Sequence, residues 1–112
     1  MNKSNYIVVL ITARKPEEAQ KIAEDLVNKR QAACVNIIPE VDSVFRRQDK
    51  LSTTKESLLI VKTKESLLPE VISSVKKIHS YLVPEIIALP IIGGSQGYLD
   101  WLDIETTSAR ER

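Results

Sequence analysis

Glycine, cysteine, histidine and aromatic residues are scarce in this chain, and each scarcity excludes a class of function. One cysteine among 112 residues, Cys34, allows no intrachain disulfide framework and fits a reducing compartment. One histidine, His79, rules out a His-x-x-x-His metal pair, and no Cys-x-x-Cys exists. Three glycines leave no glycine-rich phosphate loop. Ala13-Arg14-Lys15-Pro16 offers basic side chains but no glycine for close backbone approach, which counts against an acylphosphatase-like activity. There is no serine-nucleophile context either, so the chain reads as a non-enzyme. Aromatics make up 4% of the residues, and Tyr6 and Phe45 are too few to floor an RNA-binding sheet. Sixteen Lys+Arg against fifteen Asp+Glu leave a net charge of +1, which gives neither nucleic acid nor an anionic membrane a reason to bind. No long apolar run follows Met1 to Asn5 or occurs later, so the expectation is no signal peptide, no membrane span and a cytoplasmic protein.

What is present is a regular alternation of apolar segments. The length suits a single domain, 1–112. Tyr6 to Thr12 is a β-branched run and reads as a central strand. Pro16 with Glu17 and Glu18 starts a helix, since proline suits the first turn and acids suit the positive dipole end. Ala19, Ile22, Ala23, Leu26 and Val27 form its apolar stripe. Cys34 to Ile38 and Val41 to Arg47 are strand segments interrupted at Pro39-Glu40, which implies a bulge or an edge. Gln48-Asp49-Lys50 serves as a hairpin loop, and Leu58 to Val61 is the returning strand. A second helix begins near Thr63 or Ser66, with Pro69 in its first turn and Leu67, Leu68, Val71, Ile72, Val75 and Ile78 as its stripe. Pro84 and Pro90 bracket a last strand, Gly93-Gly94 turns the chain, and Tyr98, Leu99, Trp101 and Leu102 have the spacing of a terminal helix. Residues 106–112 read as a loose tail.

Strand, helix, strand, strand, helix, strand predicts a ferredoxin-like α+β fold: an antiparallel sheet with two helices on one face, plus a short C-terminal helix. The other face is a problem for a monomer. Three of the strands are apolar on both sides, and six large side chains left wet would invite aggregation. Neighbouring subunits covering that face solve it, so the sequence predicts an oligomer.

The candidate site residues cluster around the last strand. His79 and Glu85 stand at its entrance, and imidazole with carboxylate makes a cation site if the Ser80 to Pro84 loop folds back. Tyr81 adds an oxygen donor. The plainer alternative for His79 is a structural hydrogen bond. Cys34 is either a soft-metal ligand or a small buried hydrophobe at a strand start. Arg46 and Arg47 are either an anion grip or a solvated hairpin tip that discourages edge association. Tyr98 and Trp101 read as a packing stripe.

Gln31 to Pro39, Ser43-Val44-Phe45, Leu58 to Thr63, Val83 to Pro90 and Tyr98 to Leu102, in this order and spacing, resemble the CutA family of divalent-cation tolerance proteins. The resemblance implies a ferredoxin-like subunit in a tight homotrimer, a link to tolerance of copper and other divalent cations, and no established enzymatic reaction. It places Cys34, His79 and Glu85 at the family's Cys, His and Glu positions, as ligands for copper or zinc, with no cofactor required. The chain departs from the family pattern around the cleft: Arg46-Arg47-Gln48-Asp49-Lys50 replaces an aromatic pair followed by Glu-Gly-Lys, Ser80 replaces a proline, and Ile11 stands where some members carry a cysteine. Those departures support a second reading, a PII-like trimeric sensor or scaffold that takes a small anion or a partner protein in an intersubunit cleft lined by Tyr81, Arg46 and Arg47.

Overall fold

The structure is a computed structural model that describes residues 6–107. Its elements are β1 (Tyr6–Ala13), α1 (Pro16–Asn28), β2 (Cys34–Arg47), β3 (Lys50–Lys64), α2 (Leu68–Ile78), β4 (Ile86–Pro90) and α3 (Gln96–Glu105), with a 3-10 turn at Glu65–Leu67 before α2. The sheet order is β2-β3-β1-β4 and every neighbouring pair is antiparallel, which is the expected ferredoxin-like arrangement. Alternation along the strands divides the apolar residues between two faces. Ile7, Val9, Ile11, Leu59 and Val61 face α1 and α2 and form a closed core with Ala19, Ile22, Leu26, Val71 and Val75.

The helices end for local reasons. At the end of α1, Arg30 adopts φ 60, and the amides of Arg30 and Gln31 donate to the carbonyls of Val27 and Leu26. That pairing is a Schellman closure, made here with arginine in the position glycine usually takes. At the start of α1, no side chain caps from Lys15; the Glu18 carboxylate instead reaches back to the amide of Arg14 at 3.1 Å.

Four expectations need correction. β3 is far longer than Leu58 to Val61, because Lys50 to Ser57 is held by its ladder to β2 and has no apolar signature. The hairpin loop is Gln48-Asp49 alone, both at positive φ, with Lys50 already paired to Arg47. Thr63 belongs to β3, buried, its hydroxyl donating to the Gln31 carbonyl, so α2 starts later than Thr63 or Ser66. Thr106 is not loose: it is buried and bonds back to Leu102, while 108–112 lie outside the described residues. The bulge does occur where Pro39-Glu40 placed it. There two residues of β2 oppose Ser57, whose hydroxyl donates to the Pro39 carbonyl at 2.7 Å.

The second sheet face carries Val8, Leu10, Leu58, Ile60, Ile87 and Leu89. Within one chain Ile87 and Leu89 remain 52% and 49% exposed. α3 covers only one end of this face. It is tied there by Leu102, which is fully buried, and by ion pairs from Lys64 to Asp103 and from Arg30 to Glu105. Of the stripe expected here, Leu102 packs inward, whereas Tyr98 and Trp101 are half-exposed within one chain and pair with each other at 5.4 Å.

Candidate functional site

His79 caps the end of α2 and its side chain is fully buried. Its Nε2 lies 2.6 Å from the Thr12 carbonyl of β1, and its Nδ1 lies 3.0 Å from the amide of Tyr81. A carbonyl only accepts and an amide only donates, so Nε2 carries the proton and Nδ1 accepts. Both nitrogens of the neutral ring are thereby used.

The carboxylate beside the imidazole belongs to Glu18, with Oε2 3.6 Å from Nδ1; it is not that of Glu85. Glu18 also accepts from the amide and hydroxyl of Ser80 and from the Arg14 amide. Burial pushes the Glu18 carboxyl upward, but the hydrogen bonds donated by Ser80 and Arg14 outweigh it and hold it below its ordinary value. Two residues on, the Tyr81 hydroxyl donates to Glu56 Oε2 at 2.7 Å, and its ring sits 4.8 Å from that of His79. Burial and the Glu56 carboxylate push the Tyr81 phenol up to about 12.

These contacts shape a cleft of about 570 Å³ between the β2–β3 hairpin and the loop leaving α2. Phe45, Arg47, Thr54 and Glu56 line one side, and Tyr81, Leu82 and Val83 the other. Arg46 is not among the lining residues, because successive strand residues point to opposite faces. The two arginines therefore cannot act as a paired grip, and only Arg47 addresses the cleft.

The three residues proposed as metal ligands are not brought together in one chain. Cys34 pairs with Lys62 in the row of Val8, four residues along β1 from Thr12, which is about 13 Å from the His79 end. It is half-buried, with Lys62 Nζ 3.9 Å from its sulfur and Tyr98 near enough for burial and the thiol to raise the phenol. Glu85 is exposed. Among the described residues no group of three His, Cys, Asp or Glu side chains could hold a cation. A site that used all three would not fit a single subunit.

Glu18 and Glu56 escaped sequence reading as site residues. Glu18 looked like a helix-dipole partner, and its contact with Ser80 spans 62 residues, visible only once α1 and α2 lie side by side. Glu56 sits in a polar stretch with no apolar alternation to mark a strand.

The chain matches the profile of the family described as CutA1 divalent ion tolerance protein over residues 7–105. It is 50% identical over 95 residues to the divalent-cation tolerance protein CutA of Thermus thermophilus, covering 85% of this chain and 92% of that one. It is 46% identical over 100 residues to the chloroplastic protein CutA of Arabidopsis thaliana, covering 89% of this chain and 55% of that protein, so it spans about half the plant protein's length. The crystal structure of CutA1 from Oryza sativa superposes with a TM-score of 0.90 at 43% identity, over 95% of this chain and 97% of that one. A CutA from Archaeoglobus fulgidus, titled periplasmic, gives 0.88 at 40% identity, over 91% and 99%.

Proposed function

The chain belongs to the CutA1 divalent ion tolerance family, and from there we propose that it serves divalent-cation tolerance as a homotrimeric binding protein rather than an enzyme. The observation that carries the assembly is the half-covered apolar face of Val8, Leu10, Leu58, Ile60, Ile87 and Leu89. Burying such a side chain is worth roughly 1.5–3 kcal/mol, so six of them favour a partner of the same kind. Copper or zinc is the cargo in this reading. Since the described residues of one subunit gather no three donors, the cation in this reading is held where subunits meet, with exposed Glu85 as a donor. The lone cysteine keeps a reducing, cytoplasmic setting as part of the proposal.

Arg47 in the cleft favours a second reading, a small anion or partner protein bound between subunits. One titration series separates the two. Calorimetry with copper, zinc and organic anions is run on the native chain and on Glu85→Gln, which keeps shape and removes charge. The cation reading expects weaker copper or zinc binding in the variant. Anion binding that holds level or tightens, with no cation binding in either protein, moves the function to the cleft. Size-exclusion chromatography with light scattering should give about three times the chain's 12.6 kDa; a clean monomer removes the subunit-junction site.

A further inference from the structure

We infer that His79 is a positioning residue that, with Glu18, clamps the Ser80 to Val83 wall of the cleft, and is not itself a ligand for a cation. The inference goes beyond the tolerance reading and does not depend on which ligand the cleft takes.

The clamp closes on the chain as it leaves α2. Thr12, at the end of β1, receives the Nε2 proton at 2.6 Å. Nδ1 takes the Tyr81 amide at 3.0 Å, and Glu18 takes both the amide and the hydroxyl of Ser80. Two consecutive amides of an exposed loop are thus tied to side chains from α1 and the end of α2. The next residues, Leu82 and Val83, are 96% and 85% exposed and have no packing of their own to hold them. Their place in the cleft wall follows from the clamp behind them. The Tyr81 ring, tilted by 49° against the imidazole with centroids 4.8 Å apart, carries the constraint across to Glu56 on the opposite wall. A cation at either nitrogen of His79 would have to expel a bonded partner, leaving the buried Thr12 carbonyl or the part-buried Tyr81 amide unsatisfied. Coordination at Nδ1 would also free the Tyr81 wall that encloses the cleft.

Because the chain holds a single histidine, long-range nitrogen–proton NMR correlations report His79 alone. The expected spectrum shows a protonated Nε2 and an accepting Nδ1, unchanged by saturating zinc. The opposite tautomer, or a zinc-induced shift of either nitrogen, overturns the inference. A second measurement uses His79→Gln, whose flexible side chain can still donate to Thr12 but has no rigid ring to hold an acceptor against the Tyr81 amide. In that variant amide exchange at Tyr81 should accelerate at least about tenfold. The Tyr81 phenol should titrate below about 12, and the zinc isotherm should superimpose on the native one. Lost zinc binding with unchanged Tyr81 exchange would make His79 a ligand instead. Should His79→Gln fail to fold, the tautomer and zinc response of the native chain decide the matter.

Discussion

Glu18 shows how much one side chain can hold when its position is set by topology. Its carboxylate is charged in the folded state and receives three hydrogen bonds from Arg14 and Ser80. Because its folded pKa is depressed below 4.5, the unfolded chain takes up the proton first as pH falls. The stability it contributes is therefore full above pH 4.5 and disappears as pH drops through the lower folded value. Glu18→Gln should cost about 1–2 kcal/mol at pH 7, the scale of hydrogen bonds to a charged group reduced by solvent screening. It should also flatten the acid limb of a stability-against-pH curve measured by urea denaturation. A variant with native stability at pH 7 and an unchanged acid limb would show that Glu18 holds nothing.

Among the elements, the β2–β3 hairpin departs furthest from its own local chemistry. Its two-residue turn needs positive φ at both positions, yet they are Gln48 and Asp49 rather than Asn-Gly. A left-handed conformation costs an ordinary residue roughly 1–2 kcal/mol, and glycine returns about half of that gain as unfolded-state entropy. Asp49→Gly should thus stabilise the protein by about 0.5–1 kcal/mol, read as a rise in the denaturation midpoint at constant m. A fall in the midpoint would mean that the Asp49 side chain does something in the turn that its contacts do not show.

The same hairpin marks the limit of what the sequence could tell. Elements that bury a face announce themselves: Ile7, Val9 and Ile11 alternate, and Ala19, Ile22, Ala23 and Leu26 repeat at helical spacing. Lys50 to Ser57 forms a strand through its partner strand, and no periodicity in Ser52-Thr53-Thr54-Lys55 records that. The site divides along the same line. His79 was conspicuous as the single histidine, but whether its ring is free or engaged depends on Thr12 and Tyr81, the first of them 67 residues away. Arg46 and Arg47 looked like a pair in sequence and are opposed in space for the elementary reason of the pleat. Of the apolar residues expected to pack from the terminal helix, Leu102 is buried while Tyr98 and Trp101 are half-exposed within one chain, because residues one apart on a helix are turned by about 100°.

For the whole molecule the open face dominates. A single subunit measures 48 × 25 × 21 Å, with the hairpin running on past the last β1–β3 pair at Ala13 and Ser57. A two-stranded ribbon is marginal by itself, so an arm of that kind gains from contact with another copy. If subunits complete each other's core, folding and association are one equilibrium, and the melting temperature should climb with protein concentration. Equal melting temperatures across a hundredfold dilution, with refolding shown to be reversible, would mean that the subunit is stable alone.

The strand order has a further consequence, for the making of the protein. Along the hairpin, Arg47 meets Lys50 at once, whereas β1 waits for partners far downstream: Leu59 pairs with Ile11, and Pro90 with Ile7. β1 is made before both of its partner strands and is therefore paired only once β3 and β4 have followed. At about 5–20 residues per second, its two hydrogen-bonding edges stand unpaired for several seconds of synthesis. Local helix and hairpin formation is over in microseconds, so the vulnerable interval is set by translation and by closure of the long loop to β4. Mutations that strengthen β4 would leave this interval untouched; slower translation after β1 would lengthen it.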